Sequence, residues 1–302
     1  TRYIGGTKGS HIIVNNPKLK EAIGNREFFF ENKDGRIVLL LPFFNKVIIG
    51  TSDLPIDNPD DAKCTPEEEA YFIDLVKRVF PEIPILSEQI IFRFSGVRPL
   101  EYQEAKTTGQ ITRDHSIRED RIKETRILSL VGGKWTSYRA FGEQVTDVIL
   151  AHMKQARILD TTEIRIGGGK EYPETPEQIE KYISSLAART NNATQIVENL
   201  FERYGTLIKS ILSDDKPLEF LQSNNIITID EIKFLAQAEK VVHLDDILLR
   251  RTSIGWLGQV DAESLVEIGR IVGDTLGWER GKIDKETERV RVLMRENHSL
   301  KI

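Results

Sequence analysis

The chain has 302 residues, of which 39% are hydrophobic and 29% are charged, so it is long enough for two globular domains with a buried core in each. Its 42 basic and 47 acidic side chains give a formal net charge of −5, which argues against a general nucleic-acid binder but leaves room for a local basic pocket. The single cysteine, Cys64, excludes an internal disulfide and favours a reducing compartment, and no apolar run approaches the ~20 residues of a membrane-spanning helix.

The first third of the sequence predicts antiparallel strands. Residues 28–32 and 36–42 are apolar runs on either side of an Asp-Gly dipeptide, which is a strong hairpin signal. A second short turn leads into another apolar run at residues 47–53. Strands that follow one another through short turns form a meander, so we expect one here.

A helix is predicted to interrupt the sheet. Thr65 is a typical N-cap, Pro66 suits the first helical position, and Glu68 stands where a capping box needs an acidic side chain. Apolar residues then recur at helical spacing until Pro81. We expect this helix to cover one face of the sheet.

Further strands are predicted after the helix. The pattern indicates a strand at residues 89–95, a turn over 96–100 and a strand-like stretch at 111–117. A charged connection over residues 118–126 then leads to an apolar strand at 127–131.

A glycine turn follows that last strand. Gly132, Gly133 and Lys134 join it to a stretch with apolar residues at helical spacing. Glycines let a ligand approach the backbone closely, and the free N–H groups at a helix start attract negative charge. The pattern therefore predicts a site for an anion or a carbonyl group, although a plain strand-to-helix turn with a solvated lysine would look the same.

Beyond about residue 155 the sequence predicts an all-helical domain. Thr175 repeats the capping chemistry of Thr65. Further helices are predicted over residues 194–204, 229–242, 244–251, 261–276 and 285–294. A Gly-Gly-Gly-Lys string at 167–170 lacks both a preceding strand and a following Ser or Thr, so we interpret it as a linker and not as a phosphate loop.

Three cations at predicted strand ends are candidates for anion binding. Arg98 precedes a proline that restricts its backbone, and Arg113 lies in the strand-like stretch. With Lys134 they would give a basic pocket, and the planar fork of arginine suits phosphate. Three unrelated solvated charges are the alternative. No His, Cys or carboxylate spacing resembles a metal site, and no local signature of a Ser-His-Asp or Cys-His nucleophile is present.

Six motifs in this order resemble the FAD-dependent glycerol-3-phosphate dehydrogenases. The motifs are Lys-Gly-Ser-His at 8–11, Ile-Gly-Thr-Ser-Asp at 49–53, Ser-Gly-Val-Arg-Pro-Leu at 95–100, Thr-Arg-Asp-His at 112–115, Gly-Gly-Lys-Trp-Thr-Ser-Tyr-Arg at 132–139 and Leu-Arg-Arg-Thr at 249–252. The resemblance covers nearly the whole chain. Six ordered matches are far more specific than any one of them.

The resemblance implies an α+β architecture in two parts. An antiparallel substrate-binding sheet domain of the amino-acid-oxidase type would occupy residues 1–126. Residues 127–155 would form the strand, loop and helix that return to an FAD domain, and residues 156–302 would form the helical C-terminal domain.

The resemblance also implies a reaction: oxidation of sn-glycerol 3-phosphate to dihydroxyacetone phosphate, with FAD as cofactor. Arg98 and Arg113 would face the substrate and its phosphate, Thr51 would line the pocket, and His11 would act as the base for the C2 hydroxyl. The flavin ring would lie at the turn that these residues form: Gly132, Gly133, Lys134, Trp135 and Thr136. Negative charge develops on a flavin as it is reduced, and the N–H groups and Lys134 would stabilise it.

The partners implied are the substrate and a quinone electron acceptor. The resemblance is compatible with a cytoplasmic enzyme, with peripheral contact to a membrane surface and with a homodimer, and it gives no role to nucleic acid. A glycerophosphate oxidase that uses oxygen would share every motif, although the short spacing between Asp53 and Arg98 favours a dehydrogenase. A non-catalytic module that binds a phosphorylated metabolite is a further alternative.

One family feature is missing from the sequence. No Gly-x-Gly-x-x-Gly string, which would hold the pyrophosphate of the cofactor, occurs in the chain. We therefore expect the chain to be the C-terminal part of the enzyme, without the dinucleotide-binding segment. Alone, it is expected to bind FAD weakly or not at all and to show no turnover.

Overall fold

The computed structural model describes residues 3–32, 35, 37–102, 111–223, 225–300 and 302. They form two compact units, one of Thr1–Glu163 with Asn297–Ser299 and one of Ile164–Glu296 with Leu300–Ile302. The first unit contains the strands and the second is helical, so the predicted α+β class is confirmed.

Eight strands lie in the described part of the first unit. In chain order they are β1 (Thr7–Val14), β2 (Phe28–Glu31), β3 (Ile37–Phe43), β4 (Lys46–Gly50), β5 (Leu54–Pro55), β6 (Ile90–Arg98), β7 (His115–Ile122) and β8 (Thr125–Gly132). Six of them form one sheet with the order β2-β3-β4-β1-β6, in which β5 pairs with the start of β1. Its strand pairs among the described residues are antiparallel.

The predicted meander is confirmed in β2, β3 and β4. Phe28 pairs with Leu40 in the first hairpin, and Phe43 pairs with Lys46 across a two-residue turn in the second. Residues from alternate positions of the strands share one buried face, because side chains alternate along a strand. That face comprises Ile12, Val14, Val38, Leu40, Val47 and Ile49.

The helix α2 (Pro66–Val79) packs on that face, as predicted. The Thr65 side chain accepts a hydrogen bond from the Glu68 N–H, and the Glu68 side chain accepts one from the Thr65 N–H, so the capping box is complete. Phe72 and Val76 are fully buried against the sheet. The apolar stripe of α2 and the buried face of the meander therefore form one core.

A short helix, α1 (Pro17–Ile23), was not predicted. Asn16 caps it by accepting a hydrogen bond from the Leu19 N–H, and Pro17 stands at the first helical position. The Asn-Pro pair was the signal for it, but seven residues are too few to show helical periodicity clearly.

The strand predictions around the two candidate arginines were wrong in their bounds. β6 does not turn at 96–98 but stays paired with β1 until Arg98 lies opposite Thr7. Arg113 precedes β7 instead of lying in a strand, and the charged stretch 118–126 forms the turn end of the β7–β8 hairpin. All residues of this two-stranded ribbon except Val131 are at least partly exposed, so charged side chains do not oppose its backbone pairing.

The remaining helices follow β8. They are α3 (Tyr138–His152), α4 (Pro176–Thr190), α5 (Thr194–Tyr204), α6 (Ile229–Ala238), a π-helical turn (Asp246–Arg251), α7 (Ala262–Leu276) and α8 (Arg280–His298). The predicted helix starts at Thr175, 194 and 229 are confirmed, whereas α8 begins five residues before the predicted start. Within the described ranges, no helix has the length and apolar content needed to cross a bilayer.

The string at 167–170 is packed within the helical unit, which differs from the predicted linker. Gly167–Gly169 form a 3₁₀ turn against the end of α5. A Cβ atom on Gly168 would lie 1.9 Å from the carbonyl oxygen of Tyr204. Glycine is therefore required here for close packing.

Candidate functional site

A cavity of about 620 Å³ lies in the first unit, where β6 and β8 end and α3 begins. It is lined by Val97, Arg98, Pro99, Leu100, Arg113, Gly132, Gly133, Lys134, Trp135, Tyr138 and Phe141. Six residues predicted to form the site are among them, although they come from three separate stretches of sequence. The fold thus brings both candidate arginines and most of the glycine turn into one cavity.

The glycine turn has a backbone that only glycine adopts readily. Gly132 and Gly133 have φ angles of 74° and 98°, in the region where a side chain is strained. A Cβ atom on Gly132 would also lie 2.4 Å from the carbonyl oxygen of Asp114. The two glycines therefore let β8 end tightly against the segment that carries Arg113.

The predicted helix start after this turn is a 3₁₀ turn, Trp135–Ser137, that continues into α3. The Lys134 N–H donates to Ser137 Oγ over 3.1 Å, which fixes the backbone where the lysine leaves the turn. Trp135 is 91% exposed and lines the cavity beside Tyr138. Thr136 belongs to the same turn but is not among the described lining residues.

Arg98 is held by three consecutive residues beyond β4. Its Nη1 donates to Asp53 Oδ1 over 3.0 Å, and its Nη2 donates to Thr51 Oγ1 over 3.3 Å and to the Ser52 carbonyl over 3.5 Å. These contacts use three of the five N–H groups of a guanidinium. Arg98 therefore has a fixed position and still has N–H groups for an anion.

The guanidinium of Arg98 lies against a bare stretch of β1. A Cβ atom on Gly9 would lie 2.5 Å from Arg98 Nη2 and 2.8 Å from Thr51 Oγ1. Sequence reasoning missed Gly9, because nothing in a strand pattern shows which glycine a neighbouring side chain will cover. The only indication of its role was its place in the Lys-Gly-Ser-His motif at 8–11.

His11 follows two residues later on the same strand. Its ring stacks on Phe94 with the centroids 4.8 Å apart, and it covers Gly50, where a Cβ atom would lie 2.1 Å from the ring. Burial, with the charge of Arg98 as a smaller cause, lowers its pKa from 6.5 to about 4. Its Nδ1 is buried without a hydrogen-bond partner in the described part of the chain. His11 is therefore neutral at neutral pH and has a free ring nitrogen.

Arg113 and Cys64 differ in their surroundings. Arg113 is exposed, lines the cavity and lies just before β7. Cys64 is half-buried before α2, and burial, with help from the Glu68 charge, raises the pKa of its thiol to about 12. A thiol of this kind is a poor nucleophile.

Among the described residues no group of three His, Cys, Asp or Glu side chains could hold a metal ion.

Two protein-family models match the chain in succession. The model of FAD dependent oxidoreductases matches residues 2–146. The model of the C-terminal domain of alpha-glycerophosphate oxidase matches residues 159–283. The first match includes all the candidate site residues, and the second covers most of the helical unit.

Similar proteins align with almost the whole chain. A glycerol-3-phosphate dehydrogenase of Synechocystis is 31% identical over 306 residues, which covers 98% of this chain and 54% of the relative. An aerobic glycerol-3-phosphate dehydrogenase of Staphylococcus aureus is 25% identical, covering 96% of this chain and 53% of the relative. The chain thus spans about half the length of these curated relatives.

A solved structure has the same fold. The glycerol-3-phosphate dehydrogenase of Bacillus halodurans, solved in complex with FAD, superposes with a TM-score of 0.76 at 18% identity, over 97% of this chain and 57% of that one. Family models on both halves, together with relatives that align with almost the whole chain, show that the chain is similar to FAD dependent oxidoreductases and, over about half of their length, to glycerol-3-phosphate dehydrogenases.

Proposed function

We propose that the chain supplies the substrate pocket and the flavin-ring contacts of an enzyme that oxidises sn-glycerol 3-phosphate to dihydroxyacetone phosphate. The observation that carries the proposal is the cavity in which Arg98 and Arg113 meet the glycine turn at Gly132. A substrate with a phosphate and a secondary alcohol needs a cationic pocket beside a redox cofactor, and this cavity offers both kinds of contact.

The residues of the glycine turn fit the ring end of FAD. Gly132 and Gly133 keep the backbone bare, Lys134 brings a positive charge, and Trp135 and Tyr138 present aromatic surface to the cavity. We assign the ring contacts to Gly132–Lys134 with Trp135, and a supporting role to Thr136 in the 3₁₀ turn. When bound, FAD supplies the acceptor for the hydride from C2 of the substrate. Lys134 and the backbone N–H groups stabilise negative charge at that end of the cavity.

Arg98 and Arg113 bind the phosphate in this proposal. Arg98 is already oriented by Asp53 and Thr51, so little freedom is lost when its remaining N–H groups meet an anion. Arg113 is exposed at the cavity and closes on the phosphate from another segment of the chain. Thr51 acts on the pocket through Arg98, which its hydroxyl holds, and is not itself among the described residues that line the cavity.

His11 accepts the proton of the C2 hydroxyl. Its lowered pKa, about 4, keeps the imidazole neutral, which a base requires. A phosphate dianion bound at Arg98 would offset the positive charge that now disfavours protonated His11, so substrate binding strengthens the base.

The electron acceptor defines two candidate functions. We propose a quinone at a membrane surface as acceptor, in line with the aerobic glycerol-3-phosphate dehydrogenases among the relatives. The second candidate is a glycerophosphate oxidase, which the match of residues 159–283 to a domain of alpha-glycerophosphate oxidase favours. Hydrogen peroxide produced in proportion to substrate would decide for the oxidase.

The chain itself provides a first test. We expect calorimetry to detect binding of glycerol 3-phosphate but not of glycerol, because the arginines recognise the phosphate. We also expect the purified chain to retain little FAD and to show no turnover by itself. Failure of the chain to bind either glycerol 3-phosphate or inorganic phosphate would contradict the proposed pocket. If the chain binds phosphate but the holoenzyme, meaning the intact enzyme loaded with FAD, does not oxidise glycerol 3-phosphate, the chain is a non-catalytic binding module.

A further inference from the structure

A buried ion pair lies behind the candidate site, on the other face of β1. Side chains alternate along a strand, so Lys8 and Ser10 point away from the face that holds Gly9 and His11. The Lys8 ammonium lies 2.7 Å from Oε2 of Glu68 in α2, and the two residues are only 8% and 4% exposed. A charged pair therefore sits in the core between the sheet and α2.

A buried ion pair is a costly way to join a helix to a sheet. Both charges lose their hydration, and apolar residues of similar size commonly stabilise a core as well or better. The N-cap of α2 does not require the lysine either, since the Thr65 N–H donates to Glu68 Oε2 directly. The capping box accounts for Glu68 but not for its pairing with a buried lysine.

The other oxygen of Glu68 leads to the site. Ser52 Oγ donates to Glu68 Oε1 over 2.5 Å and accepts from the Ser10 N–H over 2.8 Å. Ser52 is 1% exposed, so this link excludes water. Its backbone carbonyl meanwhile accepts from Arg98 Nη2. Ser52 thus joins Glu68 on one side to Arg98 on the other.

The charge on Glu68 is maintained at neutral pH. Burial acts to raise the pKa of its carboxyl, but the hydrogen bonds from Lys8 and Ser52 outweigh burial and leave the pKa below its usual value. Lys8 also donates to the Lys63 carbonyl, which fixes the ammonium from a second side. An ionised, fully bonded carboxylate is a rigid anchor for the serine that it holds.

We propose that Glu68 and Lys8 are positioning residues for the phosphate-binding arginine. Through Ser52 they fix the three-residue segment Thr51–Asp53, every member of which contacts Arg98. Neither Lys8 nor Glu68 lines the cavity. They therefore affect the affinity for the phosphate and not the oxidation at C2 of the substrate. The inference rests on the proposed function for its kinetic readout, but phosphate binding tests it separately.

The main test is the double variant Lys8→Met/Glu68→Leu. Removing both charges avoids an unpaired charge in the core, so the variant is expected to fold, with a melting temperature a few degrees below that of the wild type because Glu68→Leu also removes the acceptor of the Thr65 N–H. In the flavin-loaded holoenzyme we expect KM for glycerol 3-phosphate to rise about tenfold while kcat stays within about twofold, because misplacing a binding group weakens binding first. Titration of the chain with inorganic phosphate should show the same loss of affinity.

Two further variants distinguish positioning from general stabilisation. Lys8→Met/Glu68→Gln keeps an acceptor for Ser52 and should restore part of the affinity. In an Arg98→Met background, Lys8→Met/Glu68→Leu should cause no additional loss, because effects that act through one residue are not additive. Ser52→Ala removes the hydrogen bond to Glu68, together with the acceptor of the Ser10 N–H, and serves if the double variant does not fold.

A matched control exists on the same helix. Glu69 of α2 also bonds to the sheet, through an ion pair of 2.6 Å with Arg93 of β6, and among the described residues it forms no hydrogen bond or ion pair with residues 51–53. Arg93→Met/Glu69→Leu should therefore leave KM and phosphate affinity unchanged. Wild-type affinity in Lys8→Met/Glu68→Leu, or an equal loss on the Arg98→Met background, would overturn the inference. Failure of the wild type to oxidise glycerol 3-phosphate while it still binds phosphate would instead refute the proposed function alone.

Discussion

Two glycine-lysine strings in the chain look alike and are used differently. The string at 132–134 follows a strand, takes positive φ angles at both glycines and lines the candidate cavity. The string at 167–170 belongs to a 3₁₀ turn whose central glycine lies against the end of α5. Both strings let another backbone segment approach closely, the Asp114 carbonyl at Gly132 and the Tyr204 carbonyl at Gly168, so they differ in backbone angles and in the charged side chains around them.

The charges around the two strings differ as well. Near the second string, Arg203 uses Nε and Nη2 to bond both carboxylate oxygens of Glu231, and Arg250 bonds Asp245 and Asp246. Near the first, Arg113 and Lys134 form no ion pair with any described residue. Arg98 is paired with Asp53 but keeps N–H groups that no contact with a described residue uses, so all three cations near the first string can bind an anionic ligand, and the neighbourhood and not the string indicates function.

The largest expected effect is that of Arg98→Met. Removing one member of a hydrogen-bonded charge pair typically costs about 2–5 kcal/mol, so we expect kcat/KM for glycerol 3-phosphate to fall about a hundredfold or more. Steady-state kinetics of the holoenzyme measures this. Arg203→Met, in the helical unit, is the control and should leave kcat/KM unchanged. Equal losses in the two variants would erase the distinction between the two groups of cations.

Gly168→Ala should destabilise the helical unit without affecting the site. The added Cβ atom would collide with the Tyr204 carbonyl, and overpacking of this kind costs about 1–3 kcal/mol. Urea unfolding followed by circular dichroism gives the free energy of unfolding. Gly169→Ala is a close control, because there an added Cβ atom meets only Arg165 Cβ at 3.8 Å. Unchanged stability in Gly168→Ala would mean that the string is a flexible linker after all.

Lys134→Met should slow flavin reduction by about tenfold, since it removes one of the charges that stabilise the reduced ring. Lys170→Met provides the comparison, because its lysine follows the other glycine string, and it should have no effect. Rapid-mixing absorbance of the flavin measures the rate. If both variants reduced the flavin at the wild-type rate, Lys134 would have no part in the reaction.

The smallest effect is a pH dependence from His11. Its folded pKa of about 4 lies below its ordinary value of 6.5, so protonation favours the unfolded chain. Stability is full above about pH 6.5 and falls as the pH drops towards 4, and by linkage the loss between pH 7 and pH 6 is below about 1 kcal/mol. Urea unfolding at several pH values should show this slope in the wild type, and His11→Phe should remove the part due to His11. A slope that persists undiminished in His11→Phe would contradict the lowered pKa.

Local rules predicted much of the fold. The capping boxes at Thr65 and Thr175 fixed two helix starts, and the hairpins followed from apolar runs separated by short turns. The strand bounds at 96–98 and 118–126 could not be predicted in this way. Glycine and charged residues have low strand propensity, and their pairing depends on a partner strand that is distant in sequence or on an exposed ribbon.

The candidate site was predicted less completely than the fold. The resemblance pointed to Arg98, Arg113 and the glycine turn, and the structure places them in one cavity, while their roles stay proposals. The packing of Arg98 on Gly9 and the hydrogen bond between Ser52 and Glu68 were not predicted. Both contacts join segments that are remote in sequence: a guanidinium packs on a glycine, and a helix-cap glutamate accepts a hydrogen bond from a serine beyond β4. No local pattern contains such contacts.

The most direct test of the central claim is anaerobic mixing of the flavin-loaded holoenzyme with glycerol 3-phosphate. We predict that the flavin absorbance bleaches in proportion to the dihydroxyacetone phosphate formed, and that the Arg98→Met protein needs a far higher substrate concentration for the same bleaching. Persistent absorbance of the oxidised flavin at saturating glycerol 3-phosphate would contradict the claim that this cavity is the substrate pocket of a glycerol 3-phosphate-oxidising enzyme.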